Sequence, residues 1–178
     1  AYLQDFTLAP NCPRALKAPA TNEELRDGSL AILRKRNILA VASGPAERVA
    51  DFHGRAPDRI IPAVSFGDAA LPTVEELRAL HAAGRLKVIG ELTFQYAGIA
   101  PDDALIEPYY ALAEELDVPV AIHVGPGPPG ISYFGMPGYR MRDSSALALE
   151  EVLMRHPKLR LYAMHAGWPL GDDMIALM

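Results

Sequence analysis

Pro119-Val-Ala-Ile-His-Val-Gly125 is an apolar run of strand length with a histidine near its end, and Leu159-Arg-Leu-Tyr-Ala-Met-His-Ala-Gly-Trp168 is a second such run. Nearly continuous apolar runs are typical of parallel strands that are covered on both faces. Because the carboxyl ends of parallel strands meet at one edge of a sheet, His123 and His165 are predicted to lie at the same edge. Two imidazoles placed in this way have the geometry of a metal site.

Apolar runs of the same kind recur along the chain, and amphipathic stretches of helix length separate them. This alternation indicates βα units and a parallel sheet, so we expect an α/β fold. No Ser/Gly linker divides the sequence, and residues 1–178 are predicted to form a single domain. The five candidate strands cover residues 37–43, 59–66, 87–94, 118–125 and 159–165.

Local signals mark where helices start. Thr21 with Glu24, and Thr73 with Glu76, have the spacing of a capping box, in which the two side chains satisfy free amides of the first turn. Pro101 suits the first turn of the next helix, because its missing N–H would be unpaired there. The apolar positions of that helix recur at helical spacing and are expected to cover the sheet. They are Leu105, Tyr109, Leu112, Ala113 and Leu116.

Both ends of the sequence look cut. The chain opens with a Pro-rich stretch, and the helix that follows from about Thr21 is not preceded by the strand that a βα repeat requires. At the other end, a predicted helix begins near Gly171 and runs to Met178 without a cap. An eight-stranded barrel has about 250 residues. We therefore expect a (β/α)8 barrel of the TIM type that is incomplete at both ends, with about strands two to six present.

Composition excludes several classes of partner. The net charge is -5, whereas nucleic acid or an anionic membrane would require a clustered basic face. No apolar run reaches the roughly 18 residues that span a bilayer. Cys12 is the only cysteine, so neither an intrachain disulfide nor a thiolate zinc cluster can form. The sequence contains no targeting segment, and the location of the protein stays open.

His123 and His165 are the strongest candidates for chemistry. Neighbouring strands lie about 4.8 Å apart, so the two side chains can reach one ion, and neutral imidazole is the commonest metal ligand. The alternative for each is a buried histidine that is hydrogen-bonded to a carbonyl. The other three histidines, His53, His81 and His156, lie at or near helix ends or on helix faces and are assigned no function.

Glu91 lies near the end of an apolar strand, where an ionised carboxylate requires a partner. The partner is either a metal ion or an arginine elsewhere in the core, and the sequence leaves both open. Tyr96 follows the same strand and is a candidate substrate contact.

The loop after the His123 strand offers further candidate contacts. Its segment 125–130 contains three prolines among six residues and therefore lacks the N–H donors of a phosphate-binding loop. The loop then contains Tyr133, Phe134, Tyr139, Arg140 and Arg142. These residues either hold an aromatic or carboxylated substrate or form a solvated loop with structural aromatics. Trp168 either lines a pocket or packs on the barrel rim.

Three motifs carry a resemblance to a known family: Val88-Ile-Gly-Glu-Leu92, the run that contains His123, and His156-Pro-Lys-Leu-Arg-Leu-Tyr-Ala-Met-His-Ala-Gly-Trp-Pro169. They are similar to motifs of the amidohydrolase-related family of metal-dependent hydrolases, in the branch that also contains decarboxylases of aromatic acids. The resemblance extends, through weaker motifs, from about Asn22 to the end of the chain.

The resemblance implies a distorted (β/α)8 barrel with one or two divalent metal ions, usually zinc. By this likeness His123 matches the fifth-strand ligand, and His165 matches the sixth-strand histidine, which is a ligand or a partner of the substrate carbonyl. Glu91 matches a fourth-strand position that bridges two metals in some members. The family's first-strand His-x-His pair and eighth-strand aspartate have no match between Ala1 and Met178.

Three functional hypotheses follow. The first is a metal-dependent hydrolase in which Glu91 and His165 contribute to catalysis and water attacks the carbonyl of a small lactone, ester or amide. The second is a non-oxidative decarboxylase of an aromatic acid, with Arg140 or Arg142 holding the carboxylate. The third is a catalytically incomplete barrel fragment, whose open edge strands would self-associate or require a partner.

Overall fold

A computed structural model describes residues 19–67, 71–133 and 135–178 of the chain. Five strands form one sheet in which every neighbouring pair is parallel and the spatial order follows the chain. This confirms the predicted α/β fold with consecutive βα units. The strands are β1 (Ala40–Ala42), β2 (Ile60–Phe66), β3 (Val88–Leu92), β4 (Val120–His123) and β5 (Leu161–Met164).

Six α-helices connect or follow the strands in the described residues. They are α1 (Asn22–Arg36), α2 (Ala46–Arg55), α3 (Val74–Ala82), α4 (Glu107–Leu116), α5 (Glu150–Arg155) and α6 (Gly171–Leu177). Short 3₁₀ turns cover Phe94–Ala97, Ile131–Tyr133, Met141–Ser144, Ala146–Leu149 and His165–Gly167. None of these helices combines the length and the apolar character needed to cross a bilayer. Cys12 and Phe134 lie outside the described residues.

The two predicted helix starts differ in detail. Thr73 and Glu76 form a complete capping box at the start of α3. At α1 the Thr21 hydroxyl accepts the Glu24 N–H, whereas the Glu24 carboxylate accepts the N–H of Ala20 rather than that of Thr21. Both threonines therefore cap helices as the sequence predicts.

The predicted start of α4 was wrong. Pro101 and Leu105 lie in turns before the helix, which begins at Glu107, and Leu105 is 46% exposed. The Asp103 side chain accepts the N–H of Leu105, and a short polar side chain that bonds locally to the backbone in this way competes with the helix. The apolar face instead consists of Tyr109, Leu112 and Ala113, which are buried, and Leu116, which packs against the core.

The sheet separates two apolar clusters. Ile89, Val120 and Ile122 face the helices and belong to the main core. On the opposite face, Val88 and Ala121 belong to a smaller cluster of strand residues. Because side chains alternate along a strand, His123 lies on the same face as Ala121, at the carboxyl end of β4.

Candidate metal centre

Glu91 reaches the site through an irregular backbone at the end of β3. The register between β3 and β4 shifts between Ile89 and Leu92. Gly90 lies there with a φ of +142°, and a Cβ at this position would overlap the carbonyl oxygen of Ala121. Glycine therefore allows the close approach of β3 to β4 that brings the Glu91 carboxylate beside His123.

His123 ends β4, and a second glycine brings the neighbouring strand end close to it. The N–H of Gly125 donates to the carbonyl of Ser144, and a Cβ at position 125 would lie 2.9 Å from the carbonyl oxygen of Trp168. The turn that follows β5 can pack against the end of β4 only because this position has no side chain.

His165 begins the turn after β5 in a strained conformation. His165 has a φ of +63° and Ala166 a φ of +49°, so both residues lie in the left-handed region. Each such residue costs roughly 1–3 kcal/mol, and such strain clusters at functional sites. The conformation leaves the His165 side chain 53% exposed and able to meet a ligand from solvent.

The three side chains converge on one point. Glu91 Oε1 lies 2.7 Å from His123 Nδ1 and 3.5 Å from His165 Nε2. The two imidazole rings lie 4.5 Å apart between centroids. One donor atom from each residue falls within 4.8 Å of the others, as in a site that could hold a metal ion. The sheet thus brings together the three residues that the sequence singled out as metal ligands.

Tyr96 touches this cluster directly. Its hydroxyl lies 3.2 Å from His123 Nε2, and its ring meets the imidazole edge-on at 5.1 Å. On its other side the ring stacks on Tyr139 at 5.8 Å. Burial raises the pKa of the Tyr96 hydroxyl above its ordinary value, and the neighbouring Tyr139 and Glu91 raise it further. Tyr96 was predicted to contact substrate, and the structure adds a contact with His123.

The other three predicted substrate residues, Arg140, Arg142 and Trp168, are exposed. The Arg140 guanidinium donates to the carbonyls of Pro137 and Tyr139. The Arg142 side chain is 84% exposed and pairs with Asp143. Trp168 is 77% exposed and does not pack into a wall. Their contact with substrate stays a prediction.

For Tyr139 the structure favours the structural alternative. Tyr139 is buried, and its hydroxyl accepts the Gly127 N–H and the Ser144 hydroxyl, so it braces the loop rather than meeting a ligand. The sequence analysis did not single out Tyr162, which pairs with Ala121 across β4 and β5. Burial and the nearby Glu91 raise the pKa of its hydroxyl.

Comparison with known proteins identifies a matching family and two solved structures of similar fold. A family model described as Amidohydrolase matches residues 12–178. An uncharacterised TIM-barrel protein from Bordetella bronchiseptica is similar with a TM-score of 0.59 and 21% identity, over 90% of this chain and 58% of that one. A probable 2-pyrone-4,6-dicarboxylic acid hydrolase from Acinetobacter baumannii, solved with citric acid bound, has a TM-score of 0.54 and 14% identity, over 96% of this chain and 60% of that one.

These likenesses to solved structures establish the TIM-barrel fold predicted from the sequence. The chain spans about three fifths of the length of each of the two structures. No curated protein matches the sequence.

Proposed function

Because the chain belongs to the amidohydrolase family, we propose that it carries part or all of the active site of a metal-dependent hydrolase. The substrate is a small molecule with a lactone, ester or amide carbonyl, which water attacks. One observation carries the proposal: the donor atoms of Glu91, His123 and His165 converge within 4.8 Å at the carboxyl ends of three neighbouring strands.

The donor set fits a divalent cation, and zinc in particular. Imidazole nitrogens and a carboxylate oxygen are the ligands of many catalytic zinc sites, in which three protein groups leave a further position free. His123 is mostly buried and Glu91 about seven-tenths buried, whereas His165 is half exposed. The site is therefore fixed on one side and open on the other, as a site that admits a substrate must be.

When bound, a divalent cation would polarise the substrate carbonyl and lower the pKa of a water molecule towards about 7. His123 and His165 would bind the cation through ring nitrogens, and Glu91 through a carboxylate oxygen. Glu91 accepts a hydrogen bond from His123 Nδ1, which fixes the orientation of that ring before a cation binds. If His165 does not bind the cation, its exposed imidazole would instead steady the carbonyl oxygen.

The proposed substrate contacts are Tyr96, Arg140, Arg142 and Trp168. Tyr96 stands beside His123, while Trp168, Arg140 and Arg142 lie on the surrounding loops. A cyclic lactone with carboxylate groups is the first substrate to assay, because the Acinetobacter baumannii protein is named as a hydrolase of such a compound.

Metal analysis tests the proposal. We expect the purified chain to retain zinc after incubation and desalting, and His123→Ala to lower the retained metal at least tenfold, because a ligand is lost. His81→Ala, at the end of α3, is the matched control and should retain the wild-type amount. Equal metal content in wild type and His123→Ala would contradict the proposal. Carbon dioxide release from aromatic acids without lactone, ester or amide hydrolysis would favour the decarboxylase hypothesis instead.

A further inference from the structure

A groove interrupts the helix layer of the sheet between α2 and α3. Apolar residues on this side of the sheet form two separate clusters, a main one that includes Leu77 of α3 and a smaller one that includes Leu30 of α1 and Ile60 of β2. The groove has a volume of about 170 Å³. Its lining includes Val49, Ala50, His53, Val64, Leu80 and Arg85. The side chains of the protein therefore leave a space unfilled between α2 and α3.

The walls of this groove are mostly apolar. Val49 is buried, and Val64 and Leu80 are partly buried against the main core cluster. Such walls offer water few hydrogen-bond partners, and an apolar cavity of about 150 Å³ in another protein binds benzene. The groove therefore suits an apolar group of about the size of a six-membered ring.

Two hydrogen-bond donors line the groove on the side where the strands begin. His53 lies in the last turn of α2, before β2, and Arg85 lies between α3 and β3. In the part of the chain that the structure describes, neither side chain makes a hydrogen bond or an ion pair. Arg85 keeps its positive charge, and a His53 ring N–H can donate in either protonation state.

The charge of Arg85 is not balanced within the groove. Among the described residues that line it, none is acidic. Asp51, the acidic residue of α2 nearest to His53 in the sequence, is bound by Arg26 of α1 and by Arg55 instead. An anion is therefore the complementary group at this end of the groove.

We propose that the groove binds a small carboxylate with a compact apolar body. The body lies against Val49, Val64 and Leu80, and the carboxylate accepts hydrogen bonds from Arg85 and His53. This site lies away from the candidate metal centre, whose ligands are at the carboxyl ends of the strands, whereas Arg85 precedes β3. The inference goes beyond the proposed function and does not depend on it.

Cyclohexanecarboxylate is the probe, because it combines a six-membered apolar ring with one carboxylate. Nitrogen-15 NMR of the purified chain follows the amide resonances of the groove during titration. We expect saturable shifts at Ala50, His53 and Gly54, which line the groove. Cyclohexanecarboxamide keeps the shape without the charge and should bind about two- to fivefold more weakly, as expected for loss of an exposed ion pair. Acetate lacks the apolar body and should give no saturable shifts.

Two variants test the two parts of the site. Arg85 is exposed, and Arg85→Gln should weaken binding of the carboxylate about two- to fivefold without changing that of the carboxamide. Arg36→Gln, which makes the same charge change at the exposed end of α1, is the matched control and should bind as wild type does. Ala50→Leu places a larger side chain in the groove and should abolish the saturable shifts.

Three results would overturn the proposal. They are equal affinities for the carboxylate and the carboxamide, an unchanged carboxylate affinity in Arg85→Gln, and the absence of saturable shifts in wild type. Undiminished binding by a folded Ala50→Leu variant would place the probe outside the groove and would also overturn it. If Ala50→Leu does not fold, the comparison of Arg85→Gln with Arg36→Gln decides. The titration requires no metal ion, so its failure leaves the proposed function standing.

Discussion

Gly90 is the residue on which the placement of Glu91 depends. Its φ of +142° belongs to a region that residues with a side chain rarely adopt, and a Cβ there would overlap the Ala121 carbonyl on β4. Any substitution therefore forces β3 away from β4 at the point where Glu91 and His123 meet.

We predict that Gly90→Ala lowers the free energy of unfolding by roughly 2–5 kcal/mol, through backbone strain and overlap with β4. Urea denaturation measures this difference in the free energy of unfolding. Gly28→Ala is the control: Gly28 lies inside α1, and apart from its chain neighbours and the backbone of the helix itself no atom lies within 4 Å of the added Cβ. Alanine there should raise the free energy of unfolding by about 0.5–1 kcal/mol. Similar stabilities for the two variants would contradict the role given to Gly90.

At the scale of elements, His156 joins α4 to the end of α5. The imidazole is buried, with Nε2 2.7 Å from Glu107 Oε1 and Nδ1 3.2 Å from Glu114 Oε2. Glu114 also accepts the N–H of Lys158. The contact with His156, followed by that with Lys158, holds the pKa of Glu114 below its ordinary value.

This lowered pKa predicts a direction for acid stability. A carboxylate with a lowered pKa in the folded state contributes stability above its ordinary pKa of 4.5, and the contribution is lost as the pH falls through the lowered value. We expect Glu114→Gln to destabilise the chain at pH 7 and to flatten the loss of stability below about pH 4.5.

Urea midpoints measured between pH 7 and pH 3 give both the stability at pH 7 and its dependence on acid pH. Glu151→Gln, an exposed position on α5, is the control and should follow the wild-type curve. If Glu114→Gln leaves the pH dependence of stability unchanged, the carboxylate does not stabilise the contact between α4 and α5.

For the whole molecule, the decisive feature is that the described sheet has two ends. β1 and β5 each pair with one neighbour among the described strands. Beside the free edge of β1, Leu39 is 64% and Val41 is 46% exposed. Unpaired strand edges with apolar side chains are templates for association.

We therefore predict that the purified chain self-associates as its concentration rises, and that Val41→Lys weakens the association, because a charge opposes pairing at the edge. Light scattering coupled to size-exclusion chromatography measures the mass. Met154→Lys, which adds the same charge at an exposed position of α5, is the control. A monomer at every concentration would contradict the prediction.

The sequence by itself determined the order of strands and helices and placed the strand ends to within three residues, whereas His165 lies in the turn after β5 rather than in the strand. Apolar runs such as residues 118–125 specify buried strands locally, and capping residues such as Thr73 fix helix starts within one turn. One local prediction was wrong: α4 does not start at Pro101, because the Asp103 side chain bonds to the Leu105 N–H in a turn before the helix. The family, and with it the TIM-barrel fold, was also readable from sequence motifs.

Only the tertiary structure decided the geometry of the site. Glu91 and Tyr96 meet His123 across 32 and 27 residues of sequence, and the register shift at Gly90 and the left-handed turn at His165 make the convergence possible. Periodicity describes residues that are near in sequence, whereas these contacts depend on how whole strands lie against one another. The sequence identified the residues of the candidate site, and the packing of the sheet set the distances between them.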